Sequence, residues 1–381
     1  MRVEFYKHNL GQEELNSLQS VFEGIFLTSG PKIRELESKL ASFLGCADFV
    51  TTSSCTSALF LCLKALGIGS GDEVITTPLT FIATANSIVE AGAVPVFVDV
   101  ESETGNIDAA QIESAITPRT KAILPVHLYG QMADMLTIKD IAARNGLHII
   151  EDAAHCLEGS RDGVQPGQLS EAACFSFYAT KNITCGEGGG VVTRDPALAD
   201  KLRLLRSHGM SKEAADRYHG GYEHWDMLCM GYKANLDDIK AAILLPQLAR
   251  IEDRWAKREA LTKEYIQNLR RCDWIDVHQT LPKVKHARHL FTVLFDSQQR
   301  DAVLHRLTDH GVGVAVNYRP IHLLRFYRET FSYQPGMFPV AESIGSRTVS
   351  LPLYPSLSMQ EVHYVLDVIQ KYTNSLHAMN V

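Results

Sequence analysis

Between residues 48 and 193 the chain alternates short, β-branched apolar runs with longer stretches whose apolar positions recur every three or four residues. DFVTT is followed by TSALFLCLKAL, in which Leu59, Leu63 and Leu66 share a helical face. DEVITT precedes IATANSIVEAG, and VPVFVDV, KAILPVH and LHIIEDA repeat the strand signal around helical patterns near AAQIESAI and LTIKDIAARNG. These runs are continuous rather than alternating, as in strands of a parallel sheet covered on both faces. Gly71-Asp72, Gly92 and Gly146 punctuate the returns from helix to strand. The rhythm predicts an α/β fold with a mostly parallel central sheet flanked by helices, and excludes a coiled coil or an all-β sandwich.

Further along, PALADKLRLLRSHG predicts a helix, and an irregular region rich in Gly, His, Tyr and Trp covers 209–231. A long helical pattern from about Leu236 to Leu269 contains Pro246, which is expected to kink or divide it. HLFTVLF, a helix over RDAVLHRLTDHG and VGVAVNY predict a β-α-β unit, with QEVHYVLDVIQKY as a closing helix. The expected organisation is a large domain over 1–245 and a smaller C-terminal α/β domain over 246–381.

Composition narrows the function. A net charge of −7, from 37 Lys and Arg against 44 Asp and Glu, with no basic block, argues against a nucleic-acid partner. Eight cysteines without a CxxC pair give neither a zinc spacing nor a short disulfide framework. The opening MRVEFYKHNLGQEE lacks the apolar region of a signal peptide, and no run reaches membrane-spanning length. A reduced cytoplasmic protein without a membrane segment or metal site is expected.

Five segments carry candidate chemistry at the C-terminal ends of the predicted strands, where open α/β sheets place their ligands. In TTSSCTSAL, Ser53, Ser54, Thr56 and Ser57 stand where a strand gives way to a helix, as a phosphate cradle or as helix caps. No GxxxxGK[ST] is present. In PLTFIATAN, Phe81 serves either the core or a flat ligand ring. In IIEDAAH, Glu151 and Asp152 point to opposite faces if the strand continues, and Asp152 and His155 can offer a carboxylate and an imidazole to one ligand. In FSFYATKNITCGEGGG, Lys181 follows an aromatic run and precedes glycines read as a turn. Apolar surroundings would lower its pKa and make it a nucleophile toward a carbonyl, provided a carboxylate and a phosphate site lie nearby. In MGYKANLDDIKAAILLPQL, Asn235 reads as a helix cap with Asp238 as the acid three residues on.

Together these residues resemble the DegT/DnrJ/EryC1/StrS sugar aminotransferases, fold-type I pyridoxal 5′-phosphate (PLP) enzymes. The likeness runs from LTSGPKIRELESKLASFLG through IIEDAAH, SFYATKNITCGEGG and GYKANLDDIKAAI to SLPLYPSLSMQEV. KNITC and GYKANLDDIKAAI look most like the UDP-4-amino-4-deoxy-L-arabinose aminotransferase subgroup. The resemblance implies that Lys181 holds PLP as a Schiff base and shuttles protons. It implies that Asp152 pairs with the pyridine nitrogen and that His155 lies near the phenolic oxygen. Phe81 would stack on the ring, Thr56, Ser57 and Ser176 would hold the phosphate, and Asn235 would reach the phosphate in the other subunit of a homodimer. The implied reaction transfers an amino group from L-glutamate to a nucleotide-linked 4-keto sugar, leaving 2-oxoglutarate, with pyridoxamine 5′-phosphate between the half-reactions.

Two positions depart from the family pattern. Cys55 replaces a small Gly or Ala, and AVNYRPIH carries Asn317 where relatives often have histidine. Asn317, Tyr318 and the retained His322 are expected to receive the sugar nucleotide, with His208 and Tyr218 in a substrate-covering loop. The intact lysine argues against the family's dehydratases, which carry histidine there, and against a non-catalytic regulator. Amination at the 3-keto position remains the rival reading. A NAD enzyme is disfavoured because no strand runs into GxGxxG.

Overall fold

The computed structural model describes residues 1–212, 224–270, 272 and 274–379, with backbone alone over 372–379. Its first half holds helices α1 (Gln12–Phe22), α2 (Pro31–Leu44), α3 (Cys55–Ala65), α4 (Ala83–Glu90), α5 (Ala109–Ile112), α6 (Met135–Asn145) and α7 (Pro196–Arg206). These flank strands β1 (Asp48–Thr52), β2 (Glu73–Thr76), β3 (Val94–Phe97), β4 (Thr120–Leu124), β5 (His148–Asp152), the short β6 (Ser160–Arg161), β7 (Ala172–Ser176) and β8 (Gly189–Thr193). Seven of the strands form one sheet in the order β1-β8-β7-β5-β4-β2-β3. Its pairs are parallel except for β8, which runs against both β1 and β7.

Alternate residues of each strand feed opposite cores, as the pleat requires. Val74, Ala122, Leu124 and Ile150 pack with α3 and α7 on one face, while Ile75, Ile123 and Ile149 meet α6 on the other. Helix α3 is buried nearly all round, from Ala58 to Leu63, rather than along the single face its spacing predicts. It packs on β5, β7 and β8 and against α4 and α7, which sets its N-terminus at the strand ends.

The glycine run is not the expected turn. Gly186 alone of it has a left-handed backbone, at φ +84°, while Gly189 and Gly190 are residues of β8. Close approach explains them. A Cβ on Gly189 would lie 2.4 Å from the Cys55 nitrogen, and one on Gly190 would lie 2.1 Å from the Phe49 ring. Gly189→Ala is therefore expected to push β8 off the start of α3, costing about 1–3 kcal/mol as overpacking does. A lowered denaturation midpoint together with weaker PLP retention would register it.

The second half continues with α8 (Asp238–Ala249), α9 (Ile251–Leu269), β9 (Asp276–Val277), β10 (Val284–Lys285), β11 (Phe291–Leu294), α10 (Arg300–Asp309), α11 (Arg325–Phe331), α12 (Pro339–Arg347), β12 (Thr348–Leu351) and α13 (Met359–Met379). The predicted long helix does divide, but at Arg250, and Pro246 stays inside α8. The expected boundary at 245/246 falls within α8. Leu244, Leu245, Leu248 and Ile251 belong to the core around α2, whereas Leu261 and Tyr265 belong to a separate core built on β11, β12, α10 and α13. Val3 joins that second core through a bridge to Val312.

The predicted β-α-β unit is only two-thirds formed. Its last run, VGVAVNY, makes isolated bridges at Val312 and Ala315, and β12 takes the place beside β11 in a three-stranded antiparallel sheet, β12-β11-β9. Among the described residues no helix is long and apolar enough to cross a membrane.

Candidate active site

A cavity of about 510 Å³ opens where β5 and β7 end and α3 begins. Lys181, Asp152, His155, Thr56, Phe81 and Ser176 line it from the half that carries the seven-stranded sheet, and Asn317 and Tyr318 from the segment before α11. These residues span more than 260 positions of sequence, and the parallel sheet gathers them because successive strands end on the same edge.

Asp152 is the last residue of β5 and buried. Its Oδ2 accepts from Thr84 Oγ1 at 2.7 Å, its Oδ1 from the Ala154 N–H at 3.1 Å, and Thr84 is linked on to Thr80 at 3.0 Å. A charge-assisted bond at that length fixes the carboxylate against the cavity wall. Glu151 indeed faces the other way. It binds His127 at 2.6 Å, the Gly167 N–H at 2.8 Å and Ser170 at 2.5 Å, so it is a fully engaged structural carboxylate.

Lys181 sits in the turn after β7, its N–H donating to the Tyr178 carbonyl at 2.9 Å. Burial pushes its ammonium down to about 8, with the Cys55 thiol and Asp152 carboxylate working in the opposite direction. Near neutrality a useful share of the amine is therefore unprotonated, unlike an ordinary lysine. Titration of the apoprotein with pyridoxal phosphate should give a condensation rate that climbs through about pH 8 rather than toward pH 10. Stopped-flow absorbance would check it.

The start of α3 is a ready anion site. Ser54 is its N-cap, in extended conformation, and accepts from the Ser57 N–H at 3.0 Å. Ser54 caps α3, and Thr56 beside it faces the cavity. Ser57 does not line the cavity of this chain; its Oγ is 2.9 Å from that of Ser54 and 3.2 Å from that of Ser53. Cys55 reaches the cavity wall, its thiol held well above the ordinary range by burial and by Asp152.

His155 is buried, with Nδ1 3.2 Å from the Tyr129 nitrogen and Nε2 3.2 Å from the Tyr318 hydroxyl. Burial, and secondarily Lys181, hold it well below the usual histidine range, so it is a neutral ring. His289 packs on it with centroids 4.3 Å apart and is kept neutral in the same way.

Other expected positions lie elsewhere. His322 is not on the cavity wall: it is fully buried, its Nε2 2.9 Å from Glu342 and its ring against Phe338 at 4.8 Å. Those contacts hold the segment before α11, and the expected substrate-binding position is not among the residues that line this cavity. Asn235 lies outside the cavity of its own chain, donating to Thr28 Oγ1 at 3.1 Å and accepting from Lys233 at 2.6 Å. It is not the cap of α8. Asp237 is, accepting from the Lys240 N–H at 2.8 Å, while Asp238 turns to the Gly30 N–H at 2.8 Å and the Lys32 N–H at 3.2 Å at the start of α2. His208 is exposed and off the cavity wall, and Tyr218 falls outside the described residues.

Sequence reasoning missed Thr84, Tyr129 and His289. Thr84 is one helical turn beyond Phe81, a spacing that could have flagged it. His289, in KHARH, has no motif to mark it.

The cavity thus offers an amine poised for a carbonyl, a fixed carboxylate for a cationic ring nitrogen, an aromatic face at Phe81 and a helix start for a phosphate. Residues of these kinds fit PLP, and with the mostly parallel sheet they define the class: a fold-type I PLP-dependent aminotransferase. Within that class the chain belongs to the DegT/DnrJ/EryC1/StrS aminotransferase family, whose sequence profile matches residues 8–370. SpsC, a spore coat polysaccharide biosynthesis protein of Bacillus subtilis (strain 168), is 41% identical over 367 residues, covering 95% of this chain and 94% of its own. The solved structure of S. venezuelae DesV is 35% identical, with a TM-score of 0.88 over 94% of both chains. Helicobacter pylori PseC, an aminotransferase involved in the biosynthesis of pseudoaminic acid, is 29% identical with a TM-score of 0.92, covering 98% of this chain and 100% of its own.

Proposed function

We propose that the protein transfers the amino group of L-glutamate to the 4-keto carbon of a UDP-linked sugar, releasing 2-oxoglutarate and a nucleotide-linked 4-amino sugar. The observation that carries this reading is the pairing, in one cavity, of a lysine with a depressed pKa and a fixed carboxylate, within a sugar aminotransferase family. The KNITC and GYKANLDDIKAAI segments favour the 4-keto subgroup, and the SpsC relative favours a role in polysaccharide biosynthesis.

PLP supplies an electron sink when bound. Asp152 would keep the ring nitrogen protonated, Phe81 would cover the ring, and Thr56 and Ser176, with the start of α3, would hold the phosphate. Lys181, once its amine is free, is the base and then the acid for the proton that moves between carbon atoms. His155 would lie near the ring oxygen as a neutral imidazole, and Asn317 and Tyr318 would meet the sugar.

We further propose a cytoplasmic homodimer with shared sites. Phe22, Ile25, Leu27 and Met230 are 65%, 70%, 53% and 69% exposed, an apolar surface that a second copy would cover. Asn235 is tied to Thr28, directly beside Leu27, where such a contact would place it near the partner's cavity.

Incubation with glutamate and UDP-, dTDP- and GDP-linked 3-keto and 4-keto sugars, with NMR of the product, tests the assignment. Amine at C4 of the UDP-linked compound is the expected result. Amine at C3, or transfer only to another nucleotide, would replace it.

A further inference from the structure

We propose that Tyr318 is a one-directional hydrogen-bond donor that selects a sugar carrying an oxygen acceptor, and that His155 sets its direction. The inference rests on the sugar-aminotransferase reading above and adds a recognition rule to it.

The direction follows from the tautomer. A main-chain N–H can only donate, so the His155 nitrogen that faces Tyr129 N–H, Nδ1 at 3.2 Å, must present its lone pair. The neutral ring then carries its proton on Nε2, which lies 3.2 Å from the Tyr318 hydroxyl. That bond therefore runs from histidine to tyrosine and occupies a lone pair of the phenol oxygen. A hydroxyl whose oxygen is already accepting must send its own proton elsewhere. Among the described residues no hydrogen bond joins Tyr318 to the nearby Asp152, whose oxygens are turned to Thr84 and to the Ala154 N–H. What Tyr318 faces besides its protein neighbours is the cavity it lines.

The ring has little freedom to reverse this arrangement. It lies nearly parallel to His155, at 14°, and 6.1 Å from Phe81. The preceding residue is anchored twice, its carbonyl accepting from the Tyr129 hydroxyl and its Oδ1 from Ser350 at 2.8 Å. Tyr129 thus supplies both the main-chain N–H that fixes the imidazole and the side-chain hydroxyl that fixes the Tyr318 backbone. Burial also holds Tyr318 well above the usual phenol range, so its proton stays in place at any working pH.

A donor of fixed direction accepts one chemistry: an oxygen with a lone pair, such as a hydroxyl or carbonyl of the sugar. A methylene at the same place has no lone pair to offer, and would leave the donor unpaired.

Calorimetric binding of UDP, UDP-glucose and its monodeoxy analogues to PLP-loaded protein tests this. For the wild type, one deoxy analogue should bind about tenfold or more weaker than UDP-glucose, the size of one buried hydrogen bond. Tyr318→Phe should bind that analogue and UDP-glucose equally, with UDP itself unchanged. His155→Leu, which leaves the hydroxyl but removes what orients it, should narrow the same difference. Failure of the wild type to bind UDP or UDP-glucose would count against the nucleotide reading. Wild-type binding with the deoxy pattern preserved in Tyr318→Phe would overturn the present one. So would a Tyr318→Phe protein in which only the pH dependence of the bound PLP absorbance changes, since the donor would then serve the cofactor.

Discussion

Lys181→Ala is expected to abolish amino transfer while leaving a folded protein that still takes up PLP. The amine is unique in the cavity: among the lining residues no other lysine or arginine is present. Loss of a positioned acid-base group alone costs about 10²- to 10⁴-fold in rate. Lys181 is expected to act both as the covalent anchor and as the proton carrier, so the loss should reach the upper end of that range or exceed it. Folding should survive, because among the described residues the side chain makes no hydrogen bond that holds neighbouring elements together, and the turn is set by its backbone N–H on Tyr178. Borohydride treatment followed by peptide mapping gives a readout independent of turnover. The wild type should carry a reduced PLP adduct on Lys181 and the variant should carry none. Lys181→Arg is a sharper control, since guanidinium keeps the charge but cannot lose its proton at working pH. It should be as inactive as the alanine variant. Normal turnover or adduct formation in either would move the chemistry to another residue.

The fold class was readable because its signal is local. Strands buried on both faces are written as unbroken apolar runs, and β2, β4 and β5 match DEVITT, KAILPVH and LHIIEDA. The opposite facing of Glu151 and Asp152 was equally local, since it follows from the two-residue period of a strand. What escaped was tertiary. Gly189 and Gly190 looked like turn residues because glycine commonly marks turns, yet here they let β8 pass within contact of Cys55 and Phe49. Asn235 and Asp238 satisfied the spacing of a capping box, but Asp237 lies between them, and the start of α2 claims Asp238 from more than 200 residues away. VGVAVNY has the composition of a strand, but β12 pairs with β11 from the other end of the domain. His322 shows the limit most plainly. A histidine can be marked in a sequence, whereas its turning toward Glu342 or toward a cavity depends on packing that no local pattern records.

Asp152→Asn should lower the transamination rate by about 10²- to 10³-fold, or roughly 3–4 kcal/mol, with the fold intact. The substitution keeps the shape and can keep both hydrogen bonds. The amide oxygen can accept from the Ala154 N–H, and the amide N–H₂ can donate to Thr84 once that hydroxyl rotates to accept. Only the charge is lost. A carboxylate beside a ring nitrogen raises that nitrogen's pKa by about 1–3 units, so its removal leaves the nitrogen unprotonated for much of the time and weakens the electron sink. Thr84→Val separates charge from geometry. It leaves the carboxylate ionised and removes one bond to it, a change of about 1.5–3 kcal/mol in the support of the charge. Its effect on rate should be smaller than that of Asp152→Asn. The apoprotein gives a second, cofactor-free check. Asp152 is one of the two groups that raise the Lys181 pKa against the effect of burial. Removing its charge should move the midpoint of Lys181 below about 8, so condensation with an added aldehyde should rise at lower pH than in the wild type. A midpoint that stayed in place or moved upward would mean that the two groups do not share a field, and the roles assigned to both would have to be redrawn.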